Sequence, residues 1–195
     1  IDRDAGVVIF AGNTPCLVGK HFRDDLQKIL DRKVAIANDA DCAALSEATD
    51  GAGQGYKNVF GLILGTGVGG GLVSNGNLVQ GVNGVTGEFG HLPLPYRETS
   101  DGPITTCHCK QHGCLEKSAS GPALARLYHY IMGADATAET IAERAHAGDA
   151  EAISVLDSFY TTLAKAMIPI ICMFDPDVLV VSGGLNNLPR MYDLI

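Results

Sequence analysis

Val59-Phe-Gly-Leu-Ile-Leu-Gly-Thr-Gly-Val-Gly-Gly-Gly-Leu-Val-Ser-Asn-Gly-Asn-Leu-Val79 is the stretch whose reading decides the fold. Val59–Leu64 is a short apolar strand. Gly65–Gly71 follows with five glycines in seven residues. A helix interior is excluded, because each glycine there costs about 1 kcal/mol. The run suits a tight turn where backbone N–H groups approach a ligand with no Cβ atoms in the way, a common means of cradling phosphate. It lacks the Lys-Ser/Thr ending of a Walker loop. Gly65-x-Gly67-x-x-Gly70 has dinucleotide spacing, but a dinucleotide fingerprint needs a helix next. Here Gly71–Val79 reads as a second strand, turned back at Asn75-Gly76 as a hairpin.

Outward from this hairpin, strands and helices alternate. Val7–Ala11 reads as a strand and Gly12–Gly19 as a loop. His21–Leu30 has helical spacing through Phe22, Leu26, Ile29 and Leu30. Val34–Ala37 is expected as a short buried strand, and Asn38-Asp-Ala-Asp41 opens a helix towards Ala48. Downstream, Gly81–Gly90 is a loop, and helices are predicted over 120–132, 137–147 and 149–174. Pro169 should kink or split the last of these. Val178–Val181 is a strand ending on Ser182-Gly-Gly184, a second place where a strand tip meets glycine. The pattern gives an α/β fold with its ligand at the carboxyl edge of the sheet.

The formal charge of -8 argues against a general nucleic-acid surface. No unbroken run reaches the roughly 18 apolar residues of a membrane span. The chain opens on Ile1-Asp-Arg-Asp without an initiator Met and ends within a helical pattern, so it reads as a fragment. Of six cysteines, Cys107, Cys109 and Cys114 crowd together while Cys16, Cys42 and Cys172 are dispersed. A reducing cytoplasm with a metal site fits this better than a disulfide scaffold.

Four groups could carry chemistry. Asn38-Asp39 lies between a strand and a helix start, where such residues ordinarily cap; Asp39 could also accept a proton from a substrate hydroxyl while Asn38 orients that substrate. Gly87-Glu-Phe-Gly-His91 sets an acid and an imidazole three residues apart between glycines. Cys107-His-Cys-Lys-Gln-His-Gly-Cys114 offers three thiolates, and structural zinc usually takes four tetrahedral N/S ligands. His91 is the expected fourth, with His108 and His112 as rivals less able to reach the same ion. Glu116, two residues after Cys114, is either a helix-start carboxylate or a contact to paired sugar hydroxyls.

Asn38-Asp-Ala-Asp41, Leu64-Gly-Thr-Gly-Val-Gly-Gly-Gly71, Gly87-Glu-Phe-Gly-His91, Cys107-x-Cys-x4-Cys-Leu-Glu116 and Asp175-Pro-Asp-x4-Ser-Gly-Gly184 occur in the order found in ROK-family sugar kinases, and nearly the whole chain resembles that family. The resemblance implies an actin-like, ribonuclease H-like ATPase fold of two lobes. Residues 1–37 would belong to the N-terminal lobe. Residues 38–195 would hold the catalytic loop, the zinc-bearing sugar loop and the larger nucleotide-binding lobe. The family's N-terminal phosphate loop and last helices would be absent.

It implies transfer of phosphate from ATP with Mg²⁺ to the 6-hydroxyl of a hexose. Asn13-Thr-Pro, Thr86-Gly-Glu-Phe-Gly-His and Gly113-Cys-Leu-Glu are most similar to members acting on N-acetylglucosamine. Glucose, fructose, mannose and N-acetylmannosamine are alternatives, and a sugar-sensing transcription regulator is an alternative of a different class. By position Asp39 matches the base, and Asn13, Asn38, Glu88, His91 and Glu116 match the sugar contacts. Gly65, Thr66, Gly67, Val68, Gly69, Gly70, Gly71 and Leu72, with Gly183 and Gly184, match the nucleotide contacts. His91, Cys107, Cys109 and Cys114 match the ligands of a structural zinc, and His91 would serve metal and sugar through its two ring nitrogens. Family members often carry Cys-Gly where this chain has Cys109-Lys110. A homodimer is also implied, with no membrane or nucleic-acid partner.

Overall fold

A computed structural model of the chain describes residues 2, 5–9, 11 and 14–195. At its centre is a four-stranded mixed sheet. Strand β1 (Asn58–Leu64) pairs antiparallel with β2 (Val68–Ser74), which turns at Asn75-Gly76 into the short β3 (Asn77–Leu78). On its other side β1 pairs parallel with β4 (Val178–Ser182), giving the order β3-β2-β1-β4.

Side chains of a strand alternate between faces, and β1 is covered on both. Phe60, Leu62 and Leu64 face the larger core, built with Leu124, Leu127, Phe159, Leu163 and Ile170. Val59 faces a smaller cluster with Ala44, Val73 and Val180. The helix on this second face is α2 (Asp39–Asp50). It lies so close that a Cβ on Gly61 would meet the Ala44 backbone at 2.7 Å, and one on Gly71 would meet the Ala40 carbonyl at 3.0 Å.

This closeness corrects the reading of Gly65–Gly71 as a turn throughout. The turn is confined to the residues between β1 and β2. Val68–Gly71 are strand residues; Gly69 and Gly71 let the helix approach the sheet, and a Cβ on Gly70 would strike the Phe60 ring of β1. A missing Cβ serves a tight turn and a close contact equally well, so local sequence cannot tell the two apart.

The other helices are α1 (Phe22–Leu30), α3 (Glu116–Ala119), α4 (Gly121–Met132), α5 (Ala138–His146), α6 (Ala150–Phe174) and α7 (Met191–Leu194). Ser120, Thr137 and Asp149 cap α4, α5 and α6 by accepting backbone N–H groups of the first turn. Helix α6 runs unsplit through Pro169. By length and composition it could cross a membrane, but half of its most apolar window is buried within the fold. It is the central core helix.

Two expected strands differ. Val34–Ala37 is irregular and joins no ladder among the described residues, and the Val34 N–H goes to the Gln27 side chain at 3.1 Å. Of the 7–11 segment, Val7 makes a single antiparallel bridge to Asp2, and the Val8 N–H reaches the Lys20 carbonyl at 3.1 Å. Apolar composition makes a strand only where a neighbour supplies the ladder.

Candidate active site

The amino end of β2 is the centre of the site, and three segments converge on it. The first is the start of α2. Asn38 is its N-cap, its side chain accepting the Ala40 N–H at 2.9 Å, and Asp39 Oδ1 accepts the same N–H at 3.0 Å. Both side chains are exposed. Capping and a free carboxylate are therefore compatible. The following residue, Ala40, lies against Gly69 of β2.

The second segment is the Gly87–His91 loop. Phe89 is buried and meets Phe60 edge to face, with ring centroids 5.5 Å apart. This pins a 3-10 turn over Phe89–His91 with Glu88 and His91 at its ends. Gly87 and Gly90 cross the β2 backbone at the Gly70 and Val68 carbonyls, where a Cβ would collide. The Gly-Glu-Phe-Gly-His pattern thus has a physical reading: two glycines to reach the sheet, one aromatic to anchor, and two polar groups left facing out.

The third segment carries the cysteines and Glu116. The Cys107 N–H donates to the Gln111 carbonyl (2.8 Å), the Leu94 N–H to Gly113 (3.2 Å) and the Leu115 N–H to Leu92 (2.8 Å), tying this turn to the chain just after His91. Cys107 Sγ is 3.6 Å from His91 Nδ1, and Cys109 Sγ is 3.5 Å from Cys114 Sγ. All four ligand atoms of His91, Cys107, Cys109 and Cys114 lie within 4.8 Å of one another. A tetrahedral zinc with Zn–S of about 2.3 Å and Zn–N of about 2.0 Å spaces its ligands by roughly 3.5–3.8 Å, so the cluster has the dimensions such an ion needs.

Burial and the neighbouring Cys109 and Cys107 sulfurs push the Cys114 thiol up to about 12. The Gln111 backbone N–H draws Cys109 below its ordinary value, against the opposing effect of burial. A coordinating cation would stabilise the thiolates of such a cluster. Of the rivals, His108 reaches Cys107 Sγ (3.7 Å) and Glu116 Oε1 (3.3 Å) in a separate grouping. His112 instead contacts Thr106 Oγ1 at 3.3 Å.

His91 turns Nδ1 towards the thiols and Nε2 towards Glu88, at 3.9 Å from Oε2. The Glu116 carboxylate is largely covered, and a Cβ on Gly67 would stand 2.8 Å from its Oε2. Ala40, next to Asp39, thus meets β2 at Gly69, the Glu88–His91 loop crosses it at Gly70 and Val68, and Glu116 stands against Gly67 just before it. Asn13 lies outside the described residues.

Beyond the Gly65–Gly67 turn, at the carboxyl edge of β1 and β4, is a cleft of about 1030 Å³. Gly65, Thr66 and Gly184 line it; Gly183 packs against the Leu64 carbonyl instead. Val68, Gly70, Gly71 and Leu72 are buried within β2 and do not line the cleft. Sequence reasoning missed the opposite wall, formed by Gly121 and Pro122 at the start of α4 and by Thr137, Glu139 and Glu143 around α5. The caps Ser120 and Thr137 were the available signal, since they mark helix N-termini with free N–H groups.

The whole chain, residues 1–195, matches the ROK family. It is 42% identical over 191 residues to the N-acetyl-D-glucosamine kinase of Pectobacterium atrosepticum, covering 96% of this chain and 63% of that protein. In structure it is similar to the ROK hexokinase of Thermus thermophilus (TM-score 0.83, 32% identity, 100% of this chain and 63% of that one). It is also similar to a ROK glucokinase from Streptomyces griseus in complex with glucose and AMPPNP (TM-score 0.78, 29% identity, 98% and 64%). The chain thus spans under two thirds of the length of these relatives, and it shares the actin-like ATPase fold of its structural neighbours. With the motifs in order along all 195 residues, this chain belongs to the ROK family.

Proposed function

We propose that the protein phosphorylates N-acetyl-D-glucosamine on its 6-hydroxyl at the expense of ATP. The observation that carries this reading is that Glu116 stands against Gly67, with the segments of Asp39-Ala40 and Glu88–His91 packed on the next residues of β2, while Gly65 and Thr66 of the same turn line the large cleft. A sugar held by the first group and a nucleotide in the second would meet at that turn. The choice of sugar rests on the 42% identity to the Pectobacterium enzyme, whose name gives that substrate.

In this reading Asp39 takes the proton of the attacking hydroxyl. Its Oδ1 is oriented by the Ala40 N–H, and Oδ2 is left for the substrate. Asn38, Glu88, His91 and Glu116 bind the other hydroxyls, and Asn13 is a further contact. Thr66 and Gly67 would offer backbone N–H groups to the phosphates of Mg-ATP, the Gly65 N–H being held by the Gly67 carbonyl at 3.0 Å, and Gly65 and Gly184 would border the nucleotide. Catalysis is then mostly positioning and charge stabilisation, as in phosphoryl transfer generally. His91, Cys107, Cys109 and Cys114 would hold a structural zinc, which cross-links the Glu88 loop to the Glu116 turn. We read residues 1–37 as part of an N-terminal lobe, and the protein as a cytoplasmic homodimer.

The test is ADP release by the full-length protein across amino and neutral hexoses, with zinc quantified on the same sample. Preference for N-acetylglucosamine with about one zinc per chain is the expected result. Preference for glucose, fructose, mannose or N-acetylmannosamine would overturn the substrate and keep the chemistry. Saturable sugar binding without turnover on any hexose would instead assign a sugar-sensing regulator.

A further inference from the structure

Glu116 opens α3, a helix of a single turn. A turn this short does not hold its own geometry in water. Leu115 and Ala119 anchor one side of it in the core. On its other sides it is held by two arginines. Arg97 donates from Nη1 to Ser118 Oγ (2.8 Å) and from Nη2 to the Gly102 carbonyl (2.9 Å). Arg126, from α4, donates from Nη2 to the Lys117 carbonyl at 3.0 Å. Both arginines are half-buried, and Ser118 is buried. Burial lowers the Arg126 pKa, and the nearby charge of Glu116 opposes that effect.

Neither arginine lines the large cleft or belongs to the cysteine cluster. One hydrogen bond from each falls on the two residues that directly follow Glu116, Lys117 and Ser118. We infer that Arg97 and Arg126 clamp the α3 turn at two points, and that this clamp sets where the Glu116 carboxylate stands and hence the affinity for sugar. Both are positioning residues, and the inference rests on Glu116 being a sugar contact. A bound group must be held to within a fraction of an ångström to act well, and a one-turn helix needs help from outside to do so.

The test is sugar affinity by calorimetry, with KM and kcat, for Arg126→Met and Arg97→Met in the full-length protein, alone and combined with Glu116→Ala. Each arginine variant should weaken sugar binding and raise KM about tenfold, the size of one charged hydrogen bond. The kcat, the KM for ATP and the zinc content should stay within about twofold, as expected when only uniform binding is lost. In the Glu116→Ala background neither substitution should weaken the sugar further, because the clamp acts through that carboxylate. Arg126→Lys keeps the charge and one donor and should lie between the two, which serves as the test should Arg126→Met fail to fold. An equal loss with and without Glu116, or no loss from either arginine, overturns the clamp. Unchanged affinity in Glu116→Ala alone overturns instead the reading of Glu116 as a sugar contact.

Discussion

At Asp39, Oδ1 accepts the Ala40 N–H, and Oδ2 has no hydrogen-bond partner among the described residues. Asp39→Asn keeps the shape and the cap and removes the base. Turnover should fall by about 10²–10⁴-fold, the usual worth of a general base, with sugar affinity by calorimetry nearly unchanged. Retained turnover with lost affinity would reverse the assignment. At Lys110 one backbone angle explains the departure from Cys-Gly. It sits exposed in the cysteine turn at φ 69, in the left-handed region that favours glycine. This accounts for the Cys-Gly common in the family and for the tolerance of lysine here, since the cost of that conformation is only about 1–2 kcal/mol. Lys110→Gly should raise the Tm by a few degrees with zinc content unchanged; a fall in Tm would show that the lysine side chain contributes something the backbone angle does not.

Among elements, the segment between the Gly87–His91 loop and the cysteines is docked on α6 by an ion pair whose carboxylate is buried. Asp101 accepts from Thr162 Oγ1 (2.7 Å) and from Lys165 Nζ (3.0 and 3.1 Å), and Lys165 also reaches Glu98 at 2.9 Å. Burial by itself would raise the Asp101 pKa. The Glu98 backbone N–H, the Thr162 hydroxyl and the Lys165 ammonium together outweigh it and hold the carboxyl below its ordinary value. A carboxylate depressed in the folded state stabilises fully above its unfolded pKa, and that stability is lost as pH falls through the folded value. Thermal unfolding should therefore show Tm declining below about pH 4, with a shallower decline in Asp101→Asn. Parallel acid limbs for the two proteins would remove Asp101 from the explanation.

For the whole molecule, the residues proposed to face the sugar and the cleft proposed for the nucleotide adjoin at the Gly65–Gly67 turn but have different surroundings. Glu88 and Glu116 lie close in sequence to members of the cysteine cluster, to which His91 belongs, whereas the cleft is walled by α4, α5 and the turn after β4. Stripping zinc from the full-length protein with a chelator should thus weaken sugar binding strongly while a non-hydrolysable ATP analogue binds within about twofold of its original affinity. Calorimetry with both ligands on the same sample reads this directly. If sugar affinity survives the loss of zinc, the cluster does not support the sugar loop.

Local pattern was enough for much of this. Helices α1, α4, α5 and α6, strands β1 and β4 and the Asn75-Gly76 turn follow from apolar spacing, caps and punctuation that act within a few residues. The metal motif was legible because three of its ligands are close in sequence. Tertiary structure alone decided that Val68–Gly71 form a strand against α2, that Val34–Ala37 lacks a ladder partner, and that α5 walls the cleft. It also brought His91, the residue expected from sequence, beside the three cysteines, and set His108 in another group with Cys107 and Glu116. Each of these depends on which segment lies alongside which. A glycine's freedom, a strand's propensity or an imidazole's lone pair is the same in every local context until the fold supplies the neighbour.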